Sequence, residues 1–139
     1  MHASQTLACL KAGKHVQVEI PLCDVLADGE EVISVAQKSG LVAMCGHTRR
    51  FNPSHQWVHK KITAGEFNVQ QMDVQTYFDG KENKIDVSAV DVSMNGIELQ
   101  DREFFAAIRE GREPSSSVAQ VLPCYRVLDQ LEQQLNTTA

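Results

Sequence analysis

The chain is predicted to be α/β, and three features of the sequence carry that expectation. A strand, a helix and a second strand follow one another within about 30 residues, the span of a right-handed βαβ crossover. The second of those strands, Leu41 to Cys45, is apolar without a break, as a strand buried on both faces tends to be. Helical stretches flank the pair and stop at glycines 13, 40, 65 and 111, which suit the left-handed residue that closes a helix.

The elements follow in order. Residues His2 to Lys11 read as a helix with Ala3, Leu7, Ala8 and Leu10 as its apolar stripe, and Ala12-Gly13 stops it. His15 to Ile20 reads as a strand in which Val16 and Val18 alternate with Gln17 and Glu19. Pro21, which has no N–H to donate, ends it. Ala27 to Ser39 reads as a helix with Val32, Ile33 and Ala36 inward and carboxylates in its first turn. Asn52 or Ser54 can cap the next helix, with Pro53 in its opening turn, and it runs to about Ala64. Phe67 to Phe78 is a long strand candidate, Asp79 to Asn83 a polar break, and Ile85 to Val92 a weak second strand. Asn95-Gly96 is a turn. Ile97 to Ile108 has helical spacing, and Ser117 can cap a last helix with Val118, Val121, Leu122, Tyr125, Leu128, Leu131 and Leu135 inward. Pro123 falls in the first turns of that helix, where a missing N–H costs little.

Composition narrows the function. The 139 residues fit one domain with a small appendage, and hydrophobic content of 42% supplies a core. A net charge of −5 argues against a nucleic-acid binder, which needs clustered cations. No apolar run approaches the roughly 20 residues of a membrane span, so no membrane partner is expected. The first residues lack the pattern of a signal peptide, so the expected location is cytoplasmic. Cysteines 9, 23, 45 and 124 form no C-x-x-C and read as small buried thiols. The eight glycines never form G-x-G, so no phosphate-binding glycine loop or P-loop spacing is present.

The chemistry concentrates at two strand ends. Arg49 and Arg50 follow the buried strand at its C-terminal end, where ligands of open α/β sheets bind. A guanidinium fork there suits a carboxylate or phosphate. His47 is a pocket candidate at the same end. Glu19 stands at the end of the other strand, where a ligand-facing role and simple exposure are about equally supported by spacing. The Ile20-Pro21 bond can be cis. Lys60 and Lys61 read as solvated charge. His55 and His59, with Cys45 and His47, imitate a metal set. But HQWVH lacks the glutamate of H-E-x-x-H, and no metal site is expected.

Two motifs in order carry a family resemblance: Ala12-Gly13-Lys14-His15-Val16-Gln17-Val18-Glu19-Ile20-Pro21-Leu22, and Arg49-Arg50-Phe51-Asn52-Pro53. They resemble the Gfo/Idh/MocA family of NAD(P)-dependent oxidoreductases. The resemblance implies a partial Rossmann-type dinucleotide-binding region over residues 1–65 and a remnant of the family's C-terminal α+β domain over 66–139. It implies that His2, Glu19, Pro21 and His47 face the cofactor. It implies that Arg49, Arg50 and Tyr77 face a small carboxylated substrate, a semialdehyde or its hemiacetal. The implied cofactor is NADP, with NAD left open. Ile20 replaces the lysine of the family's E-K-P, so no lysine acid is assigned, and no catalytic acid or base is identified. The family's glycine loop and its His/Asp active-site segment have no counterpart in these residues. The expectation is therefore a chain shortened at its start and internally, with weak activity alone. It would be marginally stable, or homo-oligomeric, or associated with a full-length relative, because a two-stranded parallel pair leaves open edges. The alternatives are a non-catalytic interaction module and a carboxylate-binding fragment.

Overall fold

A computed structural model describes residues 1–65 and 96–137, together with the backbone of 77–78 and 81–82. The described residues divide into two compact units, residues 1–47 with 100–139, and residues 48–99.

The first unit is built on a parallel pair. Helix α1 (His2–Lys11) leads to β1 (Val16–Val18), α2 (Leu26–Ser39) and β2 (Ala43–Cys45). Val16 lies opposite Ala43 and Val18 opposite Cys45. The α/β expectation therefore holds, with both strands shorter than the sequence suggested. α1 buries Ala3, Thr6 and Leu10. Thr6 can be buried because its hydroxyl donates to the His2 carbonyl one turn back, at 2.9 Å. α2 buries Val32, Ile33 and Ala36 and closes on Gly40 at φ 66°. α2 packs on α1 and also on the last helix, α5 (Val118–Thr137), which reaches β2. Leu22, Met44, Val32 and Val121 are the largest fully buried apolar side chains, each stabilising the fold by about 1.5–3 kcal/mol.

The outer edge of β2 is not open, contrary to expectation. The Cys45 N–H donates to the Ser116 carbonyl at 2.8 Å, and the Ser116 hydroxyl donates to the Cys45 carbonyl at 3.0 Å. Met44 bridges Ser117 in antiparallel sense. Ser116 adopts φ 66° to make this turn. Its amide is held by Gln120 Oε1, while Ser117 Oγ receives the Gln120 N–H at the start of α5. The serine run thus caps the helix as expected and also covers the strand.

Three expectations for this unit need correction. Leu128, Leu131 and Leu135 are not inward but 61%, 50% and 73% exposed. The helix outruns what it packs on, so only its first turns bury a face. Pro123 is the sixth residue of α5, beyond the four N-terminal donors that lack intrahelical partners, so its ring removes the bond to the Ala119 carbonyl. Of the four cysteines only Cys23 and Cys45 are buried; Cys9 and Cys124 are exposed.

The second unit holds a 3₁₀ turn (Thr48–Arg50), α3 (Pro53–Thr63) and the two-residue strands β3 (Tyr77–Phe78) and β4 (Lys81–Glu82), which pair antiparallel. Lys81 and Glu82 were expected in a polar break and instead form β4. The expected strand over 67–76 and the one over 85–92 lie outside the described residues. Asn52 caps α3, its Oδ1 accepting from the Ser54 and His55 amides, with Pro53 at the first helical position. Gly96 precedes α4 (Ile97–Glu110). Among the described residues, no helix is long and apolar enough to cross a membrane.

Candidate functional site

The C-terminal ends of β1 and β2 are adjacent because the pair is parallel, and the chain leaves each by a tight turn. Gly46 N–H donates to the Val18 carbonyl at 2.7 Å, and His47 N–H folds back to the Cys45 carbonyl at 2.8 Å. On the other strand the Ile20–Pro21 peptide is cis, the option the sequence had left open. The Ile20 N–H donates to Glu19 Oε1 at 3.1 Å.

Three residues singled out by sequence meet here. His2 Nδ1 lies 2.7 Å from the Pro21 carbonyl. A carbonyl only accepts, so Nδ1 carries the proton in this contact and Nε2 is left to act elsewhere. Glu19 lies across from Gly46. A methyl group built on Gly46 would stand 3.2 Å from Glu19 Oε2 and 3.3 Å from the Val18 carbonyl. Glycine at 46 is therefore what lets the carboxylate lie over the end of β2. Glu19 and Pro21 are exposed, while His2 and His47 are half-buried. An imidazole, a carboxylate and a proline face at one sheet end can hydrogen-bond and stack on a polar heterocycle.

A fourth contact was not foreseen. Leu22 is fully buried, and its N–H donates to Tyr125 Oη at 2.6 Å, from a residue 103 positions later. Spacing marked Tyr125 as an inward residue of its helix. Nothing local signals where its hydroxyl goes.

Arg49 and Arg50 occupy the 3₁₀ turn of the second unit and are exposed, on either side of which the chain is pinned. Phe51 is 4% exposed, and Asn52 is committed to its cap. Gly96, at φ 81°, abuts this turn: a methyl group there would lie 2.5 Å from the Thr48 carbonyl, 2.7 Å from Asn52 N and 2.8 Å from Phe51 C. The sequence marked Gly96 only as part of a turn. Tyr77 lies on β3, and its side chain is outside the described residues. On α3, Lys61 Nζ stands 5.6 Å from the centre of the Trp57 ring.

Helices packed beside parallel strands, with polar residues gathered at the strands' C-terminal ends, define a Rossmann-type α/β protein. Residues 1–47 match the model of the oxidoreductase family with an NAD-binding Rossmann fold, and residues 53–87 match that of the bacterial oxidoreductase C-terminal region. The chain is 41% identical to the 4-carboxy-2-hydroxymuconate-6-semialdehyde dehydrogenase of a Sphingobium species. The match covers 97% of this chain and 76% of the relative. The chain belongs to the Gfo/Idh/MocA oxidoreductase family. It is also 37% identical to the 1,5-anhydro-D-fructose reductase of Ensifer adhaerens, over 47% of this chain and 20% of that protein. A dehydrogenase from Chromobacterium violaceum shares the fold over 99% of this chain and 76% of its own, with a TM-score of 0.65 at 15% identity.

Proposed function

We propose that this oxidoreductase acts on a carboxylated semialdehyde, taken as its cyclic hemiacetal, with NADP as the cofactor. The observation that carries the reading is the 41% identity to the Sphingobium semialdehyde dehydrogenase over 97% of this chain. NADP, when bound, would accept the hydride from the hemiacetal carbon. The hydroxyl proton would leave to solvent, which completes the oxidation to the lactone.

His2, Glu19, Pro21 and His47 would hold the nicotinamide half. The His2 imidazole, already engaged through Nδ1 with Pro21, would present Nε2, and Glu19 would accept from an amide or hydroxyl of the cofactor. Arg49, Arg50 and Tyr77 would orient the substrate's carboxylates. A bidentate guanidinium pair fixes both position and angle, and orientation is a large part of any hydride-transfer rate. The residues present suit the nicotinamide end of the cofactor. They contain no G-x-G loop for its diphosphate, so this polypeptide by itself would bind the dinucleotide weakly and turn over slowly. In this reading residues 1–65 serve the dinucleotide and 66–139 the substrate.

The test is a stopped assay of the purified chain with NADP and a 2-hydroxymuconate-type semialdehyde. Slow formation of NADPH that is lost in Arg49→Ala and Arg50→Ala supports the reading. Equal turnover in those variants contradicts it. A second reading, association with another chain such as a further copy or a full-length relative, is favoured by one observation. Val127, Leu128, Leu131 and Leu135 stand exposed along α5.

A further inference from the structure

We infer that Tyr125 is a positioning residue for the cofactor-facing turn Glu19–Leu22, acting through its hydrogen bond from the Leu22 amide. The inference rests on the functional reading above only for what the turn faces; the positioning itself stands on geometry.

The turn is held at three points. At its start, the Gly46 N–H ties the Val18 carbonyl to β2 at 2.7 Å. In its middle, His2 from α1 grips the Pro21 carbonyl at 2.7 Å. At its end, Tyr125 from α5 receives the Leu22 N–H at 2.6 Å. The first hold belongs to the sheet and the second to a residue of the candidate site. The third comes from the far end of the chain and is short. Leu22 has no exposed surface, so its amide has no water to turn to if the phenol oxygen is removed, and a buried unpaired donor is costly. The amide would satisfy itself by moving the turn. Because Pro21 lies directly before Leu22, that movement carries the Pro21 carbonyl away from His2. Burial pushes the Tyr125 phenol above its ordinary value, so the neutral hydroxyl is the form that meets the amide at physiological pH. Tyr125 thereby couples the packing of α5 to the geometry of His2 and Glu19.

The experiment uses the full chain with Tyr125→Phe, which keeps the ring and its packing and removes the hydroxyl that accepts from Leu22. Three quantities are read: hydrogen exchange at the Leu22 amide, the ¹⁵N resonance of His2 Nδ1, and the affinity for NADPH by fluorescence titration. Expected are Leu22 exchange faster by roughly 10-fold, a moved His2 resonance, unchanged exchange at Cys45, and NADPH affinity lower by roughly 5–10-fold. Faster Leu22 exchange with an unmoved His2 resonance overturns the inference. A moved His2 resonance with unchanged NADPH affinity overturns its functional half. If the unsubstituted chain fails to bind NADPH, the functional reading falls and the His2 resonance alone decides the positioning. Should Tyr125→Phe not fold, 3-fluorotyrosine replaces it. The chain has two tyrosines, and fluorination weakens the phenol oxygen as an acceptor while nearly preserving volume. A smaller change in Leu22 exchange and in the His2 resonance is then expected, and no change refutes the proposal.

Discussion

Replacing Gly96 by alanine tests whether the arginine turn is held by a close backbone approach. Two costs add at this position. At φ 81° a Cβ suffers the left-handed penalty, about 1–2 kcal/mol. That Cβ would also sit 2.5, 2.7 and 2.8 Å from backbone atoms of Thr48, Asn52 and Phe51. None of these is the tip of a flexible side chain, so the turn itself must shift, an overpacking cost of about 1–3 kcal/mol. The sum, about 2–5 kcal/mol, is a large share of a small protein's stability. Gly40 provides the control: its φ is 66°, and a methyl group there meets nothing within 4 Å. Gly40→Ala should therefore cost only the conformational part, about 1–2 kcal/mol. Urea unfolding of both variants, compared at matched slope, reads the difference directly. Gly96→Ala should unfold at clearly lower urea than Gly40→Ala. Equal midpoints would refute the packing argument and leave Gly96 an ordinary turn glycine.

Other outcomes follow from the same geometry. Gly46→Ala should cost about 1–2 kcal/mol: the exposed Glu19 carboxylate at 3.2 Å can swing away, but the Val18 backbone carbonyl at 3.3 Å must give by a few tenths of an ångström. It should nonetheless weaken NADPH binding, and a titration that leaves affinity unchanged removes Glu19 from the site. Arg112 donates to both carboxylate oxygens of Glu103 at 2.7 and 2.9 Å, which holds that carboxyl below its ordinary range. A depressed folded value means the unfolded chain binds the proton more readily. The stabilisation is thus present above the unfolded carboxylate value of about 4.3 and is lost as pH falls through the folded one. Glu103→Gln should flatten the stability curve between about pH 5 and the acid limit, and an unaltered acid limb would show the pair contributes nothing. Leu128→Gln together with Leu131→Gln should change stability by less than about 0.5 kcal/mol each, as exposed positions do. A larger loss in concentrated protein that vanishes on dilution, read alongside sedimentation, would mean that another chain covers them.

Much of this was legible because the signals are local. Ala12-Gly13 ends α1, Gly40 ends α2, and Asn52-Pro53 opens α3, each a matter of which dihedrals and donors one or two residues can supply. Pro21 likewise ends β1 for want of an N–H, and its X-Pro bond, which can be cis, is cis. What escaped the sequence depends on distant neighbours. Periodicity gives α5 an apolar side but not the point where its support stops, so Leu128, Leu131 and Leu135 share the inward pattern and yet face solvent. The serine run reads as a loop and a cap. That it also covers β2 follows from Ser116 meeting Cys45, 71 residues earlier. Gly96 and Tyr125 act through contacts with backbone far away in the chain, and neither residue type announces such a contact.

The most direct measurement is an amide-resolved NMR titration of the chain with NADPH carried to millimolar concentration. Weak but saturable shifts centred on Glu19, Ile20, Leu22, Gly46 and His47 are expected. Shifts that saturate elsewhere while these five residues stay still would contradict that expectation.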